Sequence, residues 1–469
     1  MVPPVAHSAA ASPFRSLPVW VAAAAGTGIL AAVAPQWFLP VLGVALAASL
    51  LLVQPIAALG MLVASRSSLD RFAYESFDVP AFLVNPAASL GLGILALALV
   101  LLVLRARGGV PIDWGGQPSF LWAGWLAVCG FGILIGYLQH GAAGASLGIR
   151  EWLRLATFLA LYLLTVNLAD LAWKRRFLVT MILVGLAVPA VVGFYQLLTG
   201  DTYHDIYGIR RISGTFVHPN PFGLYLATMT TVLLGLLRDV QGIRQRLLVI
   251  AVLGLAVTLL VFTYSRSALA VLLAAVLGLA LTGSAKQRLL VLTGLALAAI
   301  PTAPLLAWRF MDLFTASAMT PETNSLAWRL LNYRRLLDAF AESPLVGHGL
   351  KTISLANPTK SVSLEGHTIG FASHNELLRV LVEQGLVGLV AYVVLVVGML
   401  RVLRTFRDAQ PPAAEGGLPG TANAVFCLVA VLFLLSALGT EFFSHTVVLY
   451  VLFTLLGVFH AGRRAEARV

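Results

Sequence analysis

A histidine and several arginines lie where polar sequence meets apolar runs, as chemistry at a membrane surface would require: His374, Arg266 and the pair Arg210 and Arg211. His374 opens the triplet His374-Asn375-Glu376, which closes a hydrophilic stretch from about Arg309 to Ser373 in a chain otherwise almost continuously apolar. Connections in compact proteins are usually far shorter, and long polar ones are functional or disordered. An imidazole can take the proton of an attacking hydroxyl. A guanidinium holds phosphate oxygens through its planar fork. Arg210 and Arg211 sit in RRISGTFVHPNPFG and Arg266 in TYSRSALA, each beside an apolar run; Glu441 and His445 fall at the same depth.

The elements that must position these groups are membrane spans. The chain of 469 residues is 59% hydrophobic and 11% charged, with mean hydropathy +0.90; a soluble domain carries roughly 25% charged residues. Runs long enough to span read at 17 to 34, 37 to 63, 82 to 104, 119 to 138, 146 to 168, 177 to 198, 221 to 237, 247 to 263, 265 to 282, 289 to 306, 379 to 402, 421 to 440 and 445 to 460. The class is therefore an all-α polytopic membrane protein, a single transmembrane domain over 1–469. A large helical external loop, 307–375, is inserted between spans. A break at Gln54-Pro55 or an outside N-terminus reconciles the parity of the first 80 residues, giving about 12 to 14 spans by the helix-length rule.

The net charge of +11 does not indicate nucleic acid, because the positive residues lie in short loops. These are Arg105 and Arg107; Lys174 to Arg176; Arg238, Arg244 and Arg246; Lys286 and Arg288; Arg401, Arg404 and Arg407; and Arg463, Arg464 and Arg468. Such loops mark the cytoplasmic side. The C-terminus is then inside and the long loop, with any site it carries, outside. The N-terminal segment reads as a retained first helix rather than a cleaved signal. Cys129 and Cys427 fall in apolar spans and read as packing residues.

Ionisable groups within spans look few, and each is a candidate site because burial in lipid is costly. Bland readings exist for each. Arg266 alone equally fits an arginine snorkelling to headgroups, and His374-Asn375 fits a helix cap. Asp201, His204 and Asp205 in GDTYHD read as solvated loop residues rather than metal ligands. The coincidence of several cationic groups and one titratable imidazole at one face favours an anionic, lipid-linked ligand. Within the loop, Thr320 and Pro321-Glu322 start a helix whose apolar face is Leu326, Leu330, Tyr333, Leu337 and Phe340. Arg334 and Arg335 read as solvated, and Gly347-His348-Gly349 as a turn.

Four segments in order, RISGTFVHPNPFG, TYSRSALA, WRLLNYRRLLDAFAESPLVGHGL and SHNELLRVLVEQGLVGL, resemble the bacterial O-antigen ligase and O-antigen polymerase superfamily. The likeness covers most residues from about 200 to 400; the first 200 match only in hydropathy. It implies a metal-independent glycosyltransferase without cofactor, whose donor is an undecaprenyl-diphosphate-linked oligo- or polysaccharide. The family's two essential arginines fall on Arg211 and Arg266, its loop histidine on His374, and the arginine opening its loop helix on Arg329. The residue chemistry is compatible: Arg211 and Arg266 to stabilise a departing diphosphate, His374 as base, Asn375 or Glu376 to orient it. Arg210, Arg329, Asn220, Asn375 and Glu376 are the candidate substrate-binding groups, Arg210 reading as a headgroup anchor rather than a catalytic residue. Direct attack would invert the anomeric carbon. The lipid A core is the foremost acceptor (a ligase), with another carrier-linked glycan (a polymerase) or a protein Ser/Thr as alternatives. A flippase of lipid-linked glycans is the alternative of another class; such proteins often carry internal repeats, and none is clear here.

Overall fold

The structure is a computed structural model, and it describes residues 53–71, 86–201, 204–206, 209–282, 288–289, 325–356, 363–364, 367–368, 373–413 and 417–466. The expected spans at 17 to 34 and 289 to 306, most of that at 37 to 63, and the helix start at Thr320 to Glu322 lie outside these residues. The chain divides into two compact units, 1–58 and 59–469.

In chain order the described helices are α1 (Pro55–Arg66), α2 (Pro86–Arg107), α3 (Gly116–Leu168), α4 (Ala172–Val184), α5 (Ala187–Thr199), α6 (Pro219–Asp239), α7 (Ile243–Phe262), α8 (Arg266–Leu281), α9 (Ser325–Glu342), α10 (Ile353–Ala356), α11 (Glu376–Asp408), α12 (Pro419–Gly439) and α13 (Thr446–Glu466). Two small antiparallel ladders complete the set, β1 (His204–Ile206) with β2 (Ile209–Arg211) and β3 (Ser363–Leu364) with β4 (His367–Thr368). The segment read as a solvated loop around His204 is thus one strand of a hairpin. Among the described residues 8 helices are long and apolar enough to cross a membrane, and α8 is a shorter apolar helix. The protein is a multi-pass, all-α membrane protein.

Helix α3 shows how hydropathy and backbone combine. At 1.5 Å per residue, 53 residues would reach about 80 Å, far beyond the hydrocarbon thickness of about 30 Å. The helix instead reverses at Gly141, with φ 63° and ψ −149°. Its arms run antiparallel: the Trp122 indole donates to the Leu155 carbonyl at 3.0 Å, and that of Trp152 to Leu126 at 2.8 Å. These arms are the expected spans at 119 to 138 and 146 to 168.

A second interruption matters more for the site. Helix α11 breaks at Gly385, with φ 64° and ψ −160°, where a Cβ would lie 2.4 Å from the Leu345 backbone. The break frees backbone groups inside the bundle, and such groups are costly unless satisfied. The segment after α9 satisfies them. The N–H groups of His348 and Gly349 donate to Val382 and Glu383 at 2.9 and 2.8 Å, while Leu386 and Val387 donate to Pro344 and Leu345 at 2.9 and 3.1 Å. The turn Gly347-His348-Gly349 is therefore a plug for a broken helix. His348 is buried, its ring nitrogens meeting Gln139 Oε1 at 2.9 Å and the Ala339 carbonyl at 2.7 Å.

Helix α9 docks by a different stripe from the one its apolar spacing suggests. Asn332, Leu336 and Ala339 are buried, with Leu336 and Ala339 packed on Ile353 and Val382; Tyr333 and Phe340 flank them. Leu330 and Leu337 are 53% and 48% exposed. The contact face is rotated by about one residue, roughly 100° on a helix of 3.6 residues per turn, because Ile353 and Val382 pack on Leu336 and Ala339 and His348 bonds the Ala339 carbonyl. Arg334 is exposed, as expected of a solvated position.

The described basic loops gather at one end of the bundle. There Arg105 bonds Asn167 at 3.1 Å, and Arg464 meets Asp113. The Asp239 carboxylate accepts the Gly420 and Thr421 N–H groups at 2.7 and 2.8 Å, at the start of α12, and Asn423 reaches Thr282 at 2.8 Å. The opposite end carries the N-termini of α6, α8, α11 and α13.

Candidate functional site

The motif RISGTFVHPNPFG is folded around Arg211. His218 caps α6, its Nδ1 accepting the Asn220 N–H at 3.1 Å, and Pro219 occupies the first turn, where its missing N–H costs nothing. Gln196 receives the Ser213 and Gly214 N–H groups at 3.0 and 2.8 Å. Arg211 is 3% exposed. Its Nε donates to the Thr263 carbonyl at 2.8 Å and its Nη2 to Asn220 Oδ1 at 2.7 Å. Asn220 thus stands against Arg211. Arg210, next along strand β2 and so on its other face, is exposed, its Nη1 3.5 Å from the Gly200 carbonyl. It stands apart from the groups below.

Thr263 also begins the turn that delivers Arg266. This turn places Tyr264 in the left-handed region at φ 48°, uncommon for a residue with a Cβ; Ser265 then precedes the first residue of α8, Arg266, which is half-buried. Arg329 of α9 lies near enough to feel its charge. Burial, and the Arg266 charge, push the Arg329 pKa below the ordinary guanidinium range, with Tyr333 opposing. A guanidinium stays protonated regardless, so the lowering reflects burial first and the nearby Arg266 charge second. Arg329 also donates to the Gly439 carbonyl, 3.4 Å away at the C-terminal end of α12, a favourable place for a cation.

His374 lies within reach of the Arg329 charge, in the left-handed region at φ 52°. Its carbonyl accepts from the Tyr333 hydroxyl at 3.2 Å, and its N–H donates to Glu441 Oε1 at 3.0 Å. Burial first, then the Arg329 charge, lower its pKa to about 4, against the pull of Glu441. An imidazole ordinarily titrates near neutrality; here that titration is displaced by burial and by the Arg329 charge. The ring is held neutral, able to accept a proton.

Asn375 is the cap of α11, its Oδ1 accepting the Leu378 N–H at 3.1 Å. Glu376 is fully buried, bound to Arg379 and accepting the Phe443 N–H at 3.3 Å. The carboxylate that grips the His374 segment is instead Glu441. Besides the His374 N–H it accepts the hydroxyls of Ser373 and Ser444, each at 2.7 Å. Burial would raise its pKa, but Arg379, Lys351 and these hydroxyls hold it down at about 2. Glu441 was visible in the sequence only by its depth.

Beneath these groups lies an ion network that contradicts the impression of few ionisable groups inside the spans. Arg379 is 5% exposed at its side chain and reaches Glu376, Glu383 at 3.4 Å and Glu151 at 3.7 Å. Glu151 also takes a two-pronged bond from Arg154, at 2.6 and 2.9 Å. The sequence signal was present: Glu151 with Arg154, and Glu376 with Arg379 and Glu383, follow the i,i+3 and i,i+4 spacings that put charges on one helix face.

The structure therefore brings Arg266, Arg329, His374, Asn375 and Glu376 to one end of the bundle, links Arg211 and Asn220 to them through the Thr263 turn, and leaves Arg210 outside. No curated protein matches the chain closely enough to serve as a relative. Residues 250–393, from α7 into the broken α11, match the family model described as O-Antigen ligase; that stretch contains Arg266, Arg329 and His374.

Proposed function

We propose that the protein transfers a glycan from an undecaprenyl-diphosphate carrier to an acceptor hydroxyl, and that Arg211, Arg266, Arg329 and His374 do the work. The observation that carries this reading is the convergence of Arg266, Arg329 and His374, from three separate elements, closely enough for each charge to be felt by its neighbour. Guanidinium groups held together at a half-buried surface suit a diphosphate. A buried neutral imidazole beside them suits a hydroxyl about to lose its proton.

In the transfer, the acceptor oxygen forms a bond to the anomeric carbon as the bond from that carbon to the diphosphate oxygen breaks. The hydroxyl proton passes to His374 Nε2 or Nδ1, whichever is unprotonated. The electron pair leaves with the diphosphate, whose growing charge the arginines meet. Attack from the opposite side inverts the configuration. Glu441 fixes the backbone of His374 through the N–H it accepts, so Glu441 is a positioning residue. With the basic end cytoplasmic by the loop-charge rule, the site faces the periplasm. We favour the lipid A core as acceptor.

Purified protein given a defined carrier-linked donor, and offered lipid A core, a second carrier-linked glycan and a Ser/Thr peptide separately, tests the reading. Transfer to one acceptor with inverted configuration, insensitive to chelator, is the expected result. Absence of transfer to all three, with carrier-linked donor instead crossing the bilayer of proteoliposomes, would replace it with a flippase.

A further inference from the structure

The end of the bundle remote from His374 carries a cavity that glycan transfer leaves unused. It is an open cavity of about 350 Å³ between the start of α3, the last turns of α11 and the end of α13. Arg463 and Arg464 stand on one side of it, Gln117 and the first turn of α3 on another, and Val402, Phe406 and Pro118 form an apolar wall. The first N–H groups of a helix lack partners within it and carry its positive dipole end. Asp113 is the acid nearby. It is engaged by Arg464, by His460 at 3.7 Å and by the Gly115 N–H at 2.9 Å, so it orients Arg464 instead of closing the cavity to anions.

We propose that this cavity binds the phosphate of an anionic lipid headgroup, held by Arg463, Arg464 and the amino end of α3, with glycerol and the first methylenes against Val402, Phe406 and Pro118. The position favours a lipid over a soluble anion. The cavity lies in the belt of basic residues where Arg401, Arg404 and Arg407 end α11, the level at which headgroups meet spanning helices. An inorganic phosphate would use only the cationic side and leave the apolar wall wetted. The volume accommodates a glycerophosphate.

Binding of short-chain phosphatidylglycerol to the full-length protein in detergent, followed by native mass spectrometry, tests this, with phosphatidylcholine and inorganic phosphate as separate arms. Arg463→Ala should weaken phosphatidylglycerol about tenfold or more, the loss expected for a hydrogen bond to a charged group. Gln117→Glu should weaken it similarly. A carboxylate in the first turn of a helix is favourable for the fold, so its melting temperature should hold or rise, separating a lost ligand from a damaged protein. Phosphatidylcholine should be indifferent to both changes. Phosphatidylglycerol bound as tightly by both variants as by the unaltered chain overturns the site; inorganic phosphate competing at equal affinity overturns the lipid as its occupant.

Discussion

Two arginine clusters lie at the same end of this bundle, and their surroundings differ. Arg379 is ringed by Glu376, Glu383 and Glu151 inside the spans. Arg329, half-buried at the same end, has Arg266 for a neighbour and a backbone carbonyl for a partner. The first arrangement balances charge within the protein, and removing one member leaves buried charges uncompensated. The second sets two guanidinium groups near each other, the arrangement that the proposed function uses for a diphosphate. Counting arginines would not have told them apart; the three carboxylates around Arg379 single it out.

Arg379→Ala should break the comparison most severely. It leaves the buried carboxylates of Glu376, Glu383 and Glu151 facing each other, a change of about 3 to 5 kcal/mol for a buried ion pair deprived of one partner. The expected outcome is loss of folded protein, read as a collapse of the melting temperature and of detergent-extractable yield. An Arg379→Ala protein with unaltered melting would show that the network is dispensable to the fold.

Arg266→Ala should do the opposite: leave melting within a degree or two and lower transfer by about 10² to 10³, the range for removing one preorganised donor to a developing negative charge. Arg266→Lys should recover part of the loss, because it restores the charge without the fork. Full turnover by the alanine variant would remove Arg266 from the site. Arg211→Ala is a harsher test, since Arg211 also ties the Thr263 turn to Asn220; both melting and turnover should fall.

How much of this was legible in sequence depends on how far apart the cooperating residues lie. The basic end was readable because each loop declares itself locally, and so was the pairing of spans on either side of Gly141. The break at Gly385 was not, because the apolar pattern of α11 continues across it and its substitute hydrogen bonds come from Pro344 to Gly349. Tyr333, Leu336 and Ala339 were within a readable helix, but which stripe docks was decided by His348 and Val382, outside the helix. Motif likeness pointed to Arg211, Arg266, Arg329 and His374. It did not point to Glu441, whose partners Ser373 and His374 come from a distant part of the chain.

The smallest effect, and the most diagnostic of how the clusters act on His374, is on pH dependence. Burial and Arg329 hold the imidazole pKa at about 4, while Glu441 pulls it upward. A base must be unprotonated to act, so kcat/KM, which reports the free protein, should hold as pH falls from neutrality and decline only near pH 4. The limb in kcat should lie higher, because a bound diphosphate offsets the Arg329 charge. Substitutions should then move the kcat/KM limb in opposite directions. Arg329→Gln removes a positive neighbour and raises the pKa, so activity is lost at a higher pH than in the unaltered protein. Glu441→Gln removes a negative neighbour and lowers it, extending activity to lower pH, while the amide oxygen can still accept the Ser373 and His374 donors. A merely structural His374 would show neither shift, and His374→Ala would keep its turnover instead of losing about 10² to 10⁴. Limbs that stay fixed in both variants would mean that another group supplies the base.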